Sequence, residues 1–192
     1  MLIDFDAVYR NKISLYQLAN RFGINELRSY LAGYVEASTT IILGVKQSLL
    51  FVIPHDPLAN DANAEKEEDR HAGWSMAHQV LHATATAEEG AAVSSILARG
   101  IPEIDRVRYE GDWHKVTKLD QVTTRLTECQ RICLAYLDTW PDKPHLETLR
   151  IYPDSPNPVM VNAPTAFVNG LMHWHGHITQ LTQVARQLST QH

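Results

Sequence analysis

Leu27, Leu31, Tyr34 and Val35 fall at helical spacing, as do Ile41, Ile42 and Val45, within a proline-free stretch from Ile24 to Ile53. This pattern predicts one long helix that ends near Pro54. A shorter helix is expected before it, from Asp6 to Arg21, closed near Gly23 as a residue just past the helix end. Trp74 opens a second long helix with Ser75 as its N-cap, running to Leu97 or Ala98 and stopping at Arg99-Gly100-Ile101-Pro102. Its small residues Ala83, Ala85, Ala87, Ala91 and Ala92 would allow a neighbouring helix to approach closely. Leu119, Val122, Leu126, Cys129, Cys133, Tyr136 and Trp140 repeat in steps of three and four, which predicts a third long helix from Thr117 to Thr139, ended by Pro141 and Pro144. Phe167, Leu171, Trp174, Ile178, Leu181, Ala185 and Leu188 step in the same way and predict a last helix from Thr165 to Leu188.

The segments between these helices are of two kinds. His55 to Gly73 holds Pro57, several Ala and the charge cluster Glu65 to Arg70, and reads as a mobile, solvated loop. His145 to Pro164 carries Pro153, Pro156, Pro158 and Pro164, with room for a short extended hairpin around Arg150 to Val161. Four long amphipathic helices with proline-bearing connectors predict an all-α four-helix bundle with an extra short N-terminal helix. At 192 residues the chain suits a single domain over 1–192, large enough to bury a core without staples.

Charge and cysteine usage narrow the functional classes. Seventeen basic against twenty-two acidic residues give a net charge of −5, with no Lys/Arg run, so nothing predicts a nucleic-acid partner. Cys129 and Cys133 stand four apart in a helical pattern, not at CxxC spacing, and read as reduced core residues. The most apolar stretch, Thr39 to Ile53, is broken by Lys46 and Gln47, so no membrane span is expected. The first residues lack the pattern of a signal peptide, which makes a cytoplasmic location the default. Trp74, Trp113, Trp140 and Trp174 are not interleaved with basic residues and read as core or edge aromatics.

The ten histidines carry the chemistry. His173 and His177 stand four apart on the last helix, about 40° apart around its axis and one turn along it, so both point the same way. With Gln180 they form a stripe flanking the Leu171/Trp174/Ile178/Leu181 face, while His175 lies on the opposite flank. His78 and His82 form a second pair at the same spacing on the second long helix. Two such pairs on two helices of one bundle can meet around a metal ion. Imidazole suits Zn²⁺, Ni²⁺, Cu²⁺ or Fe²⁺, and the lack of Glu-x-x-His spacing on these helices speaks against a di-iron carboxylate site. His55-Asp56 reads first as loop surface, with a place near the site as the alternative, and His71, His114, His145 and His192 have no evident partner.

The stretch Trp74-Ser75-Met76-Ala77-His78-Gln79-Val80-Leu81-His82, followed by Glu88 and Glu89, resembles the second-helix signature of the DinB-like (YfiT-like) superfamily. His173-x-x-x-His177-x-x-Gln180 is similar to the final-helix motif of that superfamily, and the two motifs stand about ninety residues apart, as they do there. The likeness covers the helix order of most of the chain and specific residues in these two segments. It implies an up-down-down-up four-helix bundle, a homodimer, and a divalent metal, Zn²⁺ or Ni²⁺ foremost, held by His82, His173 and His177. His78 stands where such proteins often have Glu, which leaves it as a fourth ligand, a partner of a ligand, or an ordinary helix residue. Ile178-Thr179 replaces the usual Arg-Gly before Gln180, so no substrate contact from that Arg carries over.

Three neutral imidazoles with an open position form a catalytic rather than a structural pattern. Branches of this superfamily use such a metal to activate a low-molecular-weight thiol, so the resemblance implies a thiol S-transferase acting on small electrophiles. The alternative enzymatic reading is a metal-dependent hydrolase with Glu88, His78 or His175 moving the proton, although Glu88 lies six residues past His82 on another face. A third reading is a non-catalytic, metal-binding or stress-associated bundle, marked by a fourth protein ligand such as His78. In every case metal occupancy should fall below about pH 6, because ligand histidines must be neutral.

Overall fold

The computed structural model describes residues 1–56, 59, 67–103, 108–152 and 159–190. The fold is mostly helical, as expected of an all-α chain. Two short helices, α1 (Asp6–Tyr9) and α2 (Leu15–Ala19), precede four long ones: α3 (Ile24–Leu43), α4 (Met76–Ala98), α5 (Leu119–Asp138) and α6 (Ala163–Thr190). Strands β1 (Arg150–Tyr152) and β2 (Val159–Val161) pair antiparallel, with Ile151 opposite Met160. This is the hairpin expected around Arg150 to Val161; its three prolines at 153, 156 and 158 lie outside the described residues. Residues 57–58 and 60–66 of the segment expected to be a mobile loop also lie outside them, as does His192, and Glu67–Asp69 make a single 3₁₀ turn.

Three boundaries differ from the sequence pattern. The helix expected over Asp6 to Arg21 is broken in two. Asn11 takes a left-handed φ of 54°, and Ser14 starts α2 afresh by accepting a hydrogen bond from the Gln17 N–H at 3.1 Å while the Gln17 side chain accepts from the Ser14 N–H at 2.9 Å. Gly23 does not close that helix. It begins α3 in extended conformation, and its N–H donates to Glu26 Oε2 at 2.8 Å. The long first helix stops at Leu43 rather than near Ile53, with Gly44 as its C-cap. The ten residues beyond turn instead through a 3₁₀ segment, Gln47–Leu49, which buries Leu49 and Leu50. The Leu50 carbonyl then accepts from the Ala77 N–H at 3.0 Å, satisfying a donor at the start of α4 that the helix itself leaves unpaired.

α4 is the most enclosed element, packing against both α5 and α6, while α3 packs against those same two helices. The close approach of α4 and α6 has a local cause. A side chain at Gly90 would meet the Ala166 carbonyl at 2.7 Å, and one at Gly170 would meet Ala87 Cα at 3.0 Å. The flanking Ala83, Ala87, Ala91 and Ala166 are buried as well. Leu27, Leu31, Tyr34, Val80, Val122, Leu126, Phe167, Leu171 and Trp174 fill one core. Cys129 and Cys133 are free thiols within it, with their Sγ atoms 3.9 Å apart. Trp174 is wholly buried and satisfies its indole by donating to Ser38 Oγ at 3.0 Å. Asn162 caps α6 by accepting from the Thr165 N–H at 3.2 Å and bonds Asn20 at 2.7 Å, which ties the start of α6 to the end of α2. No helix among the described residues is long and apolar enough to cross a membrane.

Candidate metal centre

The close crossing of α4 and α6 sets the two histidine-bearing faces against each other. Ser75 caps α4 as expected, its Oγ accepting from the His78 N–H at 3.2 Å. His82 then lies one turn further on, facing His173 and His177 of α6. The His82 ring centroid is 5.1 Å from each of them, and theirs are 4.7 Å apart. One ligand nitrogen from each of the three lies within 4.8 Å of the others. The Nε2 atoms of His173 and His177 are 3.1 Å apart. Two imidazoles bound ~2.0–2.1 Å from one tetrahedral ion would stand roughly 3.4 Å apart, so the pair needs little movement to share one.

Burial keeps the two α6 rings, His173 and His177, neutral. Burial pushes the His177 imidazole down to about 3, with the neighbouring His173 and His82 adding to the shift. Burial, with His82 and then Arg108 nearby, pushes His173 down to about 4. Neutral imidazole is the form that binds metal. Three imidazole nitrogens that converge on one point, two of them held neutral by burial, could hold a metal ion. Gln180 lies within hydrogen-bonding reach of His177. His177 is buried, whereas His173 faces solvent, so the triad sits at a mouth and not in a sealed core.

That mouth opens into a cavity of about 860 Å³ lined by Trp74, His82, His173, His177, Gln180 and Gln183, among others. A volume of that size suits a small molecule. His55 and Asp56, expected on a loop surface, are exposed residues that line this cavity.

The other sequence candidates are placed elsewhere. His78 is outside the triad: it stacks between Trp74 and Trp113, at 4.6 Å from each, with its Nε2 3.5 Å from Glu110 Oε1. Trp74 also stacks on His177 at 5.6 Å, so it forms a wall of the site instead of a plain core or edge position. Glu88 is held by both guanidinium nitrogens of Arg125, at 2.6 and 2.8 Å. His175 points to the other flank of α6, as its position predicts, where its Nδ1 meets the Tyr34 hydroxyl at 3.1 Å and its ring packs edge-on to Phe5. Burial pushes the Tyr34 phenol up, so it stays protonated. Three loop histidines have partners after all: His114 Nε2 lies 2.9 Å from Asp69, His145 Nδ1 2.8 Å from Glu147, and His71 Nδ1 3.2 Å from the Ala59 carbonyl.

Two residues beside the triad were not singled out by the sequence. Glu110 Oε1 lies 3.0 Å from His82 Nδ1, and Arg108 bonds the other oxygen of the same carboxylate. Burial opposes the charge on Glu110, but hydrogen bonds from His78, His82 and Arg108 outweigh it and hold the carboxyl well below the usual carboxylate range. Gly111, directly after Glu110, takes a left-handed φ of 73° that glycine adopts without strain. The only sequence signal here is the glycine itself, in a connector without periodicity.

No family model, curated protein or solved structure matches the chain.

Proposed function

We propose that this protein is a DinB-like, metal-dependent enzyme of thiol S-transferase type that joins a low-molecular-weight thiol to a small electrophile. In this reading α3, α4, α5 and α6 form an up-down-down-up four-helix bundle, and His82, His173 and His177 hold one divalent ion. The observation that carries the reading is the convergence of three imidazoles from α4 and α6 at the mouth of a cavity large enough for substrates. The helix contacts support the bundle, since α3 and α4 each pack against both α5 and α6. A homodimer and a cytoplasmic location belong to the same reading.

A divalent ion bound there would supply the positive charge that keeps a coordinated thiol deprotonated at neutral pH. The remaining tasks fall to the chain. His173 and His177 stay neutral through burial and neighbouring groups. Trp74 closes one side of the site, and Gln180 and Gln183 offer uncharged hydrogen-bonding groups along the cavity. The side chains that could move a proton are otherwise engaged: Glu88 with Arg125, His175 with Tyr34, and His78 with Glu110 between two tryptophans. This favours a nucleophile that loses its proton on binding over hydrolysis assisted by one of those groups. His78 lies between two tryptophans beside Glu110 and apart from the three grouped histidines, which supports turnover over a closed, non-catalytic site.

The test is thiol consumption by Zn²⁺- or Ni²⁺-loaded protein with a panel of small thiols and alkylating electrophiles. The expected result is turnover that stops on chelation and is absent from the His173→Ala/His177→Ala variant. Turnover that persists in that variant would sink the reading.

A further inference from the structure

We propose that Glu110 and Arg108 set the tautomer of His82 and so decide whether this imidazole can take a metal. The use of that control rests on the metal-centre reading above, but its chemistry is read from the protein's own side chains. Two groups of opposite character meet one ring nitrogen. Glu110 Oε1 lies 3.0 Å from His82 Nδ1, and an Arg108 terminal nitrogen lies 3.1 Å from the same atom. A guanidinium only donates hydrogen bonds, and an ionised carboxylate only accepts them.

His82 Nδ1 therefore has two exclusive arrangements. If it carries the proton, it donates to Glu110, and Nε2 keeps a free lone pair. If it is bare, it accepts from Arg108, and the proton sits on Nε2, where it blocks metal binding through that atom. Glu110 wins this competition because Arg108 has other acceptors. The nitrogen facing His82 also bonds the carboxylate of Glu110, and the other terminal nitrogen donates to Thr86 Oγ1 at 2.7 Å. Both bonds to Nδ1 are charge-assisted, so the engagement of Arg108 elsewhere decides between them, and a metal-bound imidazole commonly has a carboxylate partner on its second nitrogen.

The arrangement also accounts for His78. Its Nε2 faces the same Glu110 oxygen at 3.5 Å, so the carboxylate bridges the two histidines of α4 and only His82 is left to face α6. Arg108 anchors the bridge to α4 through Thr86. Glu110 and Arg108 are positioning residues in this scheme, acting through His82 rather than on substrate.

The experiment combines long-range ¹H–¹⁵N spectra of the histidine rings in metal-free protein with Zn²⁺ affinity measured by chelator competition. In the wild type, His82 is expected as the Nδ1–H tautomer. Glu110→Gln should keep that tautomer, because its amide oxygen still accepts, and should retain most of the affinity. Glu110→Ala leaves Nδ1 to Arg108, so His82 should change to the Nε2–H tautomer and Zn²⁺ affinity should fall about 10–100-fold. Adding Arg108→Ala to Glu110→Ala removes the competing donor and should recover part of that loss, whereas a purely structural pair would lose more. An unchanged His82 tautomer in Glu110→Ala, or a double variant that binds more weakly than Glu110→Ala, would overturn the proposal. If wild-type protein takes up no Zn²⁺, the metal-centre reading fails, and the spectra of the metal-free variants still decide this one.

Discussion

The Nε2 atoms of His173 and His177 face each other at 3.1 Å across one turn of α6, and the ring of His82 closes the third side from α4. One ion per chain should therefore be found by elemental analysis after loading with Zn²⁺ or Ni²⁺. Alanine at His82, His173 or His177 should each abolish stoichiometric binding, with a loss beyond the ~10–100-fold that removal of an outer partner costs. Alanine at His175, which faces Tyr34 and Phe5, should leave binding intact. Full occupancy in His82→Ala would show that α4 contributes no ligand.

The metal-free protein should lose stability as pH falls from about 7 towards 4. The sign follows from linkage. His173 and His177 are held near 4 and 3 in the folded chain, below an unfolded value of 6.5. The unfolded chain binds protons at both sites across that window and the folded chain does not, so protonation favours unfolding. Glu110, held low by its partners, adds a loss in the same direction below its ordinary value of 4.5. Melting temperatures of metal-free wild type and His177→Gln, compared between pH 7 and 5, isolate the imidazole contribution. The variant should show the flatter profile, and equal slopes would refute the assignment.

Gly90→Ala should damage fold and site together. Its Cβ would stand 2.7 Å from the Ala166 carbonyl and 3.3 Å from Gly170 Cα, so α4 and α6 must separate. Overpacking of this kind costs ~1–3 kcal/mol, readable by urea unfolding. Because His82 and the His173/His177 pair sit on those two helices, Zn²⁺ affinity should fall as well. Weaker folding with unchanged Zn²⁺ affinity would show that the helix spacing does not set the triad.

Glu88→Gln should separate stability from the site. Glu88 makes a two-pronged ion pair with Arg125, and both side chains are largely buried. Leaving the guanidinium without its charge partner should cost roughly 1–3 kcal/mol. Zn²⁺ affinity and any thiol turnover should be unchanged. A selective loss of turnover with normal stability would restore Glu88 as a proton-transfer residue.

Whatever depends on a few neighbouring residues was legible in the sequence. The seams of α5 and α6, the Ser75 cap and the shared direction of His173 and His177 all follow from a period of 3.6 residues and the hydrogen-bonding needs of a helix end. The early end of α3 was not legible, because Ile41 to Ile53 is apolar enough to continue a helix. It stops with Gly44 as C-cap, and the turn beyond it buries Leu49 and Leu50 and delivers a carbonyl to Ala77. The same limit applies to the site. His78 and His82 are equivalent by spacing, and only the packing of α4 on α6 turns His82 toward the α6 pair and leaves His78 between two tryptophans. Glu110 and Arg108 come from a connector with no periodicity, and nothing local distinguishes them from other charged loop residues. The sequence alone determined the helices and the α6 pair, and the resemblance of its two motifs already pointed to His82 beside them. The third imidazole and its carboxylate partner were decided by contacts between segments far apart in the chain, which only the tertiary packing brings together.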